Sequence, residues 1–154
     1  MSELDCGFSF ASKGKEMFSR ACEYAIKIMI YIAGNEQEGR RTGVKEISEA
    51  IKSPEAFSAK ILQQLVKSDL LVSYKGPTGG FELKDNKIKL VDIVRAIDGN
   101  KLMEDCVLGF ETCSGKNPCP VHFRFIEIRE QLNETLLSTE IRDPELITKG
   151  INMD

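Results

Sequence analysis

A single histidine, His122, occurs in the 154 residues, and tryptophan is absent. One imidazole excludes multi-histidine metal sites and makes its position informative. A Gly-rich nucleotide loop and a Ser/His/Asp set are also missing, so no enzyme is expected. No apolar run approaches the roughly 20 residues that cross a bilayer. The first sixteen residues carry Glu3, Asp5 and Glu16 and no apolar h-region, which predicts neither a secretory signal nor a membrane anchor. Five cysteines, an odd number without an export pattern, argue against a disulfide scaffold and for reducing, cytoplasmic surroundings. Internal repeats and low-complexity runs are absent, and the length suits one domain with a possible appendage.

What is present is unevenly charged. The net charge of -3 hides a basic middle: residues 40–90 hold 10 basic and 6 acidic side chains, between flanks that are both acidic. Such a distribution is a modest polyanion footprint or an ordinary mixed surface.

Residues 1–16 read as a flexible tail. From Ser19 to Ala33, Ala21, Ala25, Ile28 and Ile32 recur at helical spacing, and Gly34-Asn35 is the expected stop. Val44, Ile47 and Ile51 mark a short second helix with Thr42 as its cap. Ser53-Pro54-Glu55 then supplies a capping hydroxyl, a first-position proline and a first-turn acid for a third helix. Phe57, Ile61, Leu62 and Leu65 line one side of that helix. Leu70 to Lys75 and Phe81 to Leu83 read as two strands around the turn Gly76-Pro77-Thr78-Gly79-Gly80. Leu90, Ile93, Val94 and Ile97 form a further amphipathic helix, stopped by Asp98-Gly99-Asn100. A loop rich in Cys, Gly and Pro follows. A long helix begins at His122, with Phe125, Ile128, Leu132 and Leu136 in line.

Two helices joined by a very short turn and followed by a hairpin suggest a winged helix-turn-helix. The fold class is therefore mainly α with a small β-hairpin, plus a long C-terminal helix. The boundaries are 17–100 for the DNA-binding domain, 101–121 for the cysteine-rich loop, 122–141 for the long helix and 142–154 for a tail. A recognition helix enters the major groove only if its outer face lacks bulky apolar groups. Ala56, Ala59, Lys60 and Gln63 meet that need, and Ser53 opens a helix N-terminus to phosphate. Lys75 and Thr78 set a cation and a hydroxyl on the wing. With Phe57, these residues are the candidate contacts to double-stranded DNA. An anonymous helical domain with a hairpin is the bland alternative.

The second constellation is Cys106, Cys113, Cys119 and His122. Four soft ligands within seventeen residues of one loop can converge on a metal. Three thiolates and an imidazole are a legitimate structural zinc set. They also suit an iron–sulphur cluster, and a metal-free thiol switch is the third option. Cys22, within the first helix, reads as a small core residue. Cys6 has no evident role.

Taken together, these pieces resemble the Rrf2 family of bacterial transcriptional regulators, over about Met17 to Ile141. The likeness rests on Ser19-Arg20-Ala21-Cys22-Glu23-Tyr24-Ala25, Val44-Lys45-Glu46-Ile47-Ser48-Glu49 and Phe57-Ser58-Ala59-Lys60-Ile61-Leu62-Gln63-Gln64-Leu65. It rests also on Gly76-Pro77-Thr78-Gly79-Gly80-Phe81-Glu82-Leu83 and on Cys119-Pro120-Val121-His122. The resemblance implies a homodimer whose long helix is the dimerisation helix. It implies too that Cys106, Cys113 and Cys119 hold an iron–sulphur cluster that senses redox state, nitric oxide or cluster supply. For the fourth ligand it offers two positions. His122 would complete a [2Fe-2S] site, as in members resembling the regulator of cluster assembly. Glu23, supplied by the partner subunit, would do so as in nitric-oxide sensors. The former is favoured over Glu23 and [4Fe-4S]. Zinc, a metal-free thiol switch and, remotely, a cluster-bearing enzyme or electron carrier remain the alternatives.

Overall fold

The computed structural model describes residues 17–106, 108 and 115–151. The expected tail at 1–16 with its Cys6, and Cys113 of the loop, lie outside the described residues. The elements run α1 (Arg20–Gln37), α2 (Val44–Ala50), α3 (Glu55–Lys67), β1 (Leu71–Tyr74), β2 (Gly80–Leu83), α4 (Leu90–Asp98), α5 (Lys101–Glu104), α6 (His122–Ser138) and α7 (Pro144–Ile151).

Ser19 starts α1 by accepting the Cys22 backbone N–H on its hydroxyl at 3.1 Å. The expected stop at Gly34-Asn35 is overridden, because tertiary contacts hold both residues inside the helix. Asn35 is buried, donating to Thr42 Oγ1 at 2.9 Å and accepting from Arg40 Nη2 at 3.0 Å. The chain turns instead at Gly39, whose φ of 75° needs glycine.

Thr42 does not cap α2, since Gly43 occupies that position without a side-chain bond. Fully buried Thr42 instead pairs with Phe81 of the hairpin, accepting at 2.9 Å and donating at 3.4 Å. Between α2 and α3 the chain reverses within Ile51–Pro54, with Lys52 in the left-handed region at φ 54°. The start of α3 is shifted by one residue from the sequence reading. Pro54 is its cap, and the Pro54 carbonyl accepts the Ser58 N–H at 3.0 Å. Ser53 therefore does not cap the helix; its hydroxyl accepts from Ser58 Oγ at 3.1 Å.

Helix α1 is the central element, in contact with α2, α3, α4, α7 and β2. Its Ile28, Met29 and Ile32 meet Ile47 of α2, Ile61, Leu62 and Leu65 of α3, Leu71 and Leu83 of the hairpin and Ile93 of α4. Each such burial stabilises by about 1.5–3 kcal/mol relative to exposure. A second, smaller core joins Cys22 to Val91 and Val94 of α4 and Leu136 of α6, with Leu102, Met103 and Leu132 packed against it. That packing explains why the first four residues of the expected loop are helical. The Asn100 carbonyl accepts from Met103 and Glu104, and apolar Leu102 and Met103 are pinned to the small core. On α6, Leu136 is buried while Ile128 is 58% exposed, so Ile128 leaves the inward line the spacing suggested.

The strands pair antiparallel from Leu71↔Leu83 to Tyr74↔Gly80. A side chain on Gly80 would sit 2.9 Å from the Thr42 carbonyl oxygen, at a φ of 141° that also favours glycine. The segment after 142, expected as a tail, forms α7 on α1. Asp143 accepts the Glu145 N–H at 2.9 Å, and Pro144 takes the first helical position. Ile141 and Ile147 are buried, and the Ile141 N–H donates to the Ile88 carbonyl at 2.9 Å. The Arg142–Glu36 ion pair ties this segment to the end of α1.

Candidate nucleic-acid interface and cysteine loop

Helix α3 buries Ile61, Leu62 and Leu65 and turns Ala56, Lys60 and Gln63 to solvent, with Ala59 half-buried beside them. The next residue, Gln64, ties α3 to α4 by donating to the Ala96 carbonyl at 3.1 Å. Phe57 does not join this outer face. It is half-buried, and its ring meets Tyr24 of α1 edge-on at 5.5 Å. Aromatic area is better spent on that contact than on water. Ser53 is half-buried at the helix start.

Lys75 and Thr78 are exposed on the hairpin turn. The turn depends on Gly79, where an added side-chain carbon would lie 2.3 Å from the Tyr74 carbonyl oxygen. Three further cations edge this surface that the sequence reading did not single out. Arg20 and Lys27 of α1 both lie over the Tyr24 ring, 5.8 Å and 5.2 Å from its centroid. Arg41 lies over Tyr74 at 3.6 Å, with its Nε 3.2 Å from Glu82. Their sequence signal is slight: Arg20 and Lys27 flank Tyr24 at helical spacing, and Arg41 lies in the charged stretch Glu36 to Arg41 between two helices. Arg40 is engaged elsewhere. Its Nη1 lies 2.6 Å from Glu46, whose carboxylate raises the guanidinium pKa still further above its ordinary value.

Cys106 and Cys119 are both half-buried and mark the two ends of the loop that precedes α6. Arg129 of α6 reaches back to the first end, donating from Nη2 to the Asp105 carbonyl at 2.7 Å. At the other end the Cys119 carbonyl accepts the His122 backbone N–H at 3.0 Å. His122 opens α6 and is buried, its ring edge-on to Phe123 at 5.2 Å. Glu23, the alternative ligand, is exposed on the first turn of α1. Among the described residues no three His, Cys, Asp or Glu side chains form a metal-holding group. Cys22 is a core thiol as expected. Burial first, then the charge of Asp98 and a hydrogen bond to it, then Glu23, push its pKa up to about 12.

The Rrf2 family profile, described as an iron-dependent transcriptional regulator, matches residues 18–144. The chain is 34% identical over 131 residues to an HTH-type transcriptional regulator of Aquifex aeolicus, covering 82% of this chain and 90% of that protein. It is 27% identical to the HTH-type transcriptional regulator IscR of Pectobacterium atrosepticum, over 73% of this chain and 69% of that one. Among solved structures it is similar to CymR of B. subtilis, titled its global cysteine regulator. The TM-score is 0.67 at 26% identity, covering 82% of this chain and 93% of that one. It shares its fold with T. potens IscR, with a TM-score of 0.66 at 20% identity over 88% and 90% of the two chains. These relatives are regulators and not enzymes, and among the described residues no helix is long and apolar enough to cross a membrane. The chain belongs to the Rrf2 family of DNA-binding transcriptional regulators.

Proposed function

We propose that this regulator binds DNA as a homodimer and that the cysteine loop switches its affinity by holding an iron–sulphur cluster. The observation that carries the reading is the placement of the loop. Cys119 lies just before His122 at the start of α6; Arg129 ties that helix to Asp105, beside Cys106, and the small core packs it on α4 of the DNA-binding body. The donor set fits the group, because half-buried Cys106 and Cys119 supply soft sulphur donors at the two ends of one loop. Cys106, Cys113 and Cys119 would hold the cluster, with His122 as fourth ligand and Glu23 of a second subunit as the alternative. When bound, the cluster supplies a centre that reacts with oxidants and nitric oxide; [2Fe-2S] is favoured over [4Fe-4S]. The family description as iron-dependent supports iron over zinc.

The chain's own residues do the rest. Ala56, Ala59, Lys60 and Gln63 face the major groove from α3, while Lys75 and Thr78 meet the backbone from the wing. The α6 helices pair across the dimer through the apolar side chains each leaves open, Phe123 and Ile128 among them. Pairing fixes the separation of two α3 helices, and half-sites lie about 34–36 Å apart. A coupling of about 1–3 kcal/mol between loop and groove moves affinity 5- to 150-fold.

The test is iron, sulphide and zinc content with an absorption spectrum on protein purified without oxygen, beside Ser substitutions at Cys106, Cys113 and Cys119. Iron with sulphide and a visible chromophore, lost in each variant along with signal-dependent DNA binding, is the expected result. About one zinc per chain in a colourless solution would make the loop structural. Neither metal, with DNA binding that follows thiol oxidation, would assign it a thiol switch. Variants whose DNA binding stays cluster-responsive would refute the reading.

A further inference from the structure

The outer face of the hairpin carries a cation with no counterpart among the candidate contacts. Leu71 and Leu83 face the core, so the alternation of the strands places Val72, Tyr74 and Glu82 on the opposite face. Arg41 reaches this face from the segment that Thr42 pairs to Phe81, a one-residue rung on the free edge of β2. Its guanidinium lies over the Tyr74 ring at 3.6 Å, and Tyr74 is the residue before Lys75. Stacking removes the freedom that usually makes an exposed arginine costly to order. Its Nε edge faces Glu82 at 3.2 Å, which among the described residues leaves the Nη donors for a further acceptor. Arg41 keeps about a third of its side chain exposed, as does Glu82. The pair is therefore accessible to an incoming anion and screened by solvent, and is worth little to the fold.

We infer that Arg41 is a phosphate-binding residue of the wing, pre-oriented by Tyr74 and held in competition by Glu82. The contact extends the wing footprint from the turn at Lys75 and Thr78 along the outer face of the strands to Tyr74 and Glu82. It reads no base, so it strengthens binding to any duplex alike. Glu82 sets its strength, because a phosphate must share or displace that carboxylate. The inference rests on the wing meeting the DNA backbone, as proposed above.

The experiment measures the salt dependence of binding to about three helical turns of mixed-sequence duplex. The full-length wild type is compared with Arg41→Gln, Lys75→Gln, Glu82→Gln and the double variant Arg41→Gln/Glu82→Gln. Lys149→Gln, in α7, controls for the change in net charge. Loss of one phosphate contact lowers the slope of log affinity against log salt by about 0.9 per chain. The wild-type advantage over Arg41→Gln then shrinks about 3.5-fold per chain for a fourfold rise in salt, and Lys149→Gln shows no such change. Glu82→Gln tightens binding in the wild-type background and not in Arg41→Gln. A gain that persists without Arg41 would show plain repulsion by Glu82 and overturn its role as competitor. An Arg41→Gln slope equal to wild type, with Lys75→Gln lowering it, overturns the inference and leaves the wing reading standing. Equal slopes in both variants overturn the wing reading itself. If Arg41→Gln loses its cooperative melt, Glu82→Gln decides alone, and unchanged affinity refutes the inference.

Discussion

Raising the pH above 9 should destabilise this protein through one buried thiol. Cys22 is fully buried on the first turn of α1, against the carboxylate of Asp98, which also accepts the Ser19 N–H at 2.8 Å and the Ser19 hydroxyl. Its pKa rises from 9.0 to about 12. Above pH 9 the unfolded chain releases this proton while the folded chain keeps it. Unfolding is then favoured by about 1.4 kcal/mol per pH unit, until the folded thiol also ionises. The stability supplied by the neutral thiol is complete below pH 9 and declines as pH approaches 12. Between pH 8 and 10.5 the loss is about 2 kcal/mol, a large part of the roughly 5–15 kcal/mol that holds a domain together. All other ionisable side chains are common to both proteins, so the measurement is a difference. Urea unfolding of wild type and Cys22→Ala, reduced and without oxygen, is followed at steps from pH 7 to 10.5. Cys22→Ala begins about 1 kcal/mol lower for the lost sulphur contact. It then approaches and passes the wild type as pH rises. Parallel curves would show that the thiol is not held neutral by Asp98 and burial.

Two substitutions test the fold around the site. Gly80→Ala places a methyl 2.9 Å from the Thr42 carbonyl at φ 141°; it should loosen the hairpin from the α1–α2 connection and weaken duplex binding more than it lowers Tm, as gel shift and thermal melting would show. Ile147→Ala, in the helix that replaced the expected tail, removes a side chain only 4% exposed; a loss of about 2–5 kcal/mol is expected by chemical denaturation, and a change under 0.5 kcal/mol would mean that α7 does not seal the core.

The elements that sequence patterns revealed are those whose apolar period is unbroken. Ile61, Leu62 and Leu65 on α3, and Ile93 and Val94 on α4, bury the faces their spacing marks. The candidate groove residues followed, because what an amphipathic helix does not bury it presents. Local rules failed where distant partners decide. Gly34-Asn35 is a stop in isolation, yet Thr42 and Arg40 hold Asn35 helical. Thr42 has a capping side chain, but pairing with Phe81 claims its backbone. Phe57 lies at the edge of the α3 stripe, and only the position of Tyr24 assigns it inward. Ile141 and Ile147 have helical spacing that reads weakly beside Asp143 and Pro144, until the exposed flank of α1 gives them a surface. The cysteine spacing suggests a ligand set without its geometry, because a loop has no period from which side-chain direction follows.

A switch between loop and groove needs a route, and the two cores provide one. The small core packs α5 and α6 on Val91 and Val94 of α4, so in the proposed switch a change in the loop that joins α5 to α6 reaches α4 first. The opposite side of α4 belongs to the main core through Ile93, and Gln64 joins α3 to α4 at the Ala96 carbonyl. A helix packed on both sides cannot move against one core without repacking the other, because interiors at crystal-like density have no slack to absorb the shift. In the proposed switch a displacement of α4 therefore carries α3 with it, and with α3 the candidate groove residues Lys60 and Gln63. In the dimer proposed here the same displacement changes the angle at which α6 meets its partner. In that reading one helix adjusts both the seating of each recognition helix and the distance between the two, and a modest free-energy difference in the loop suffices to act on both.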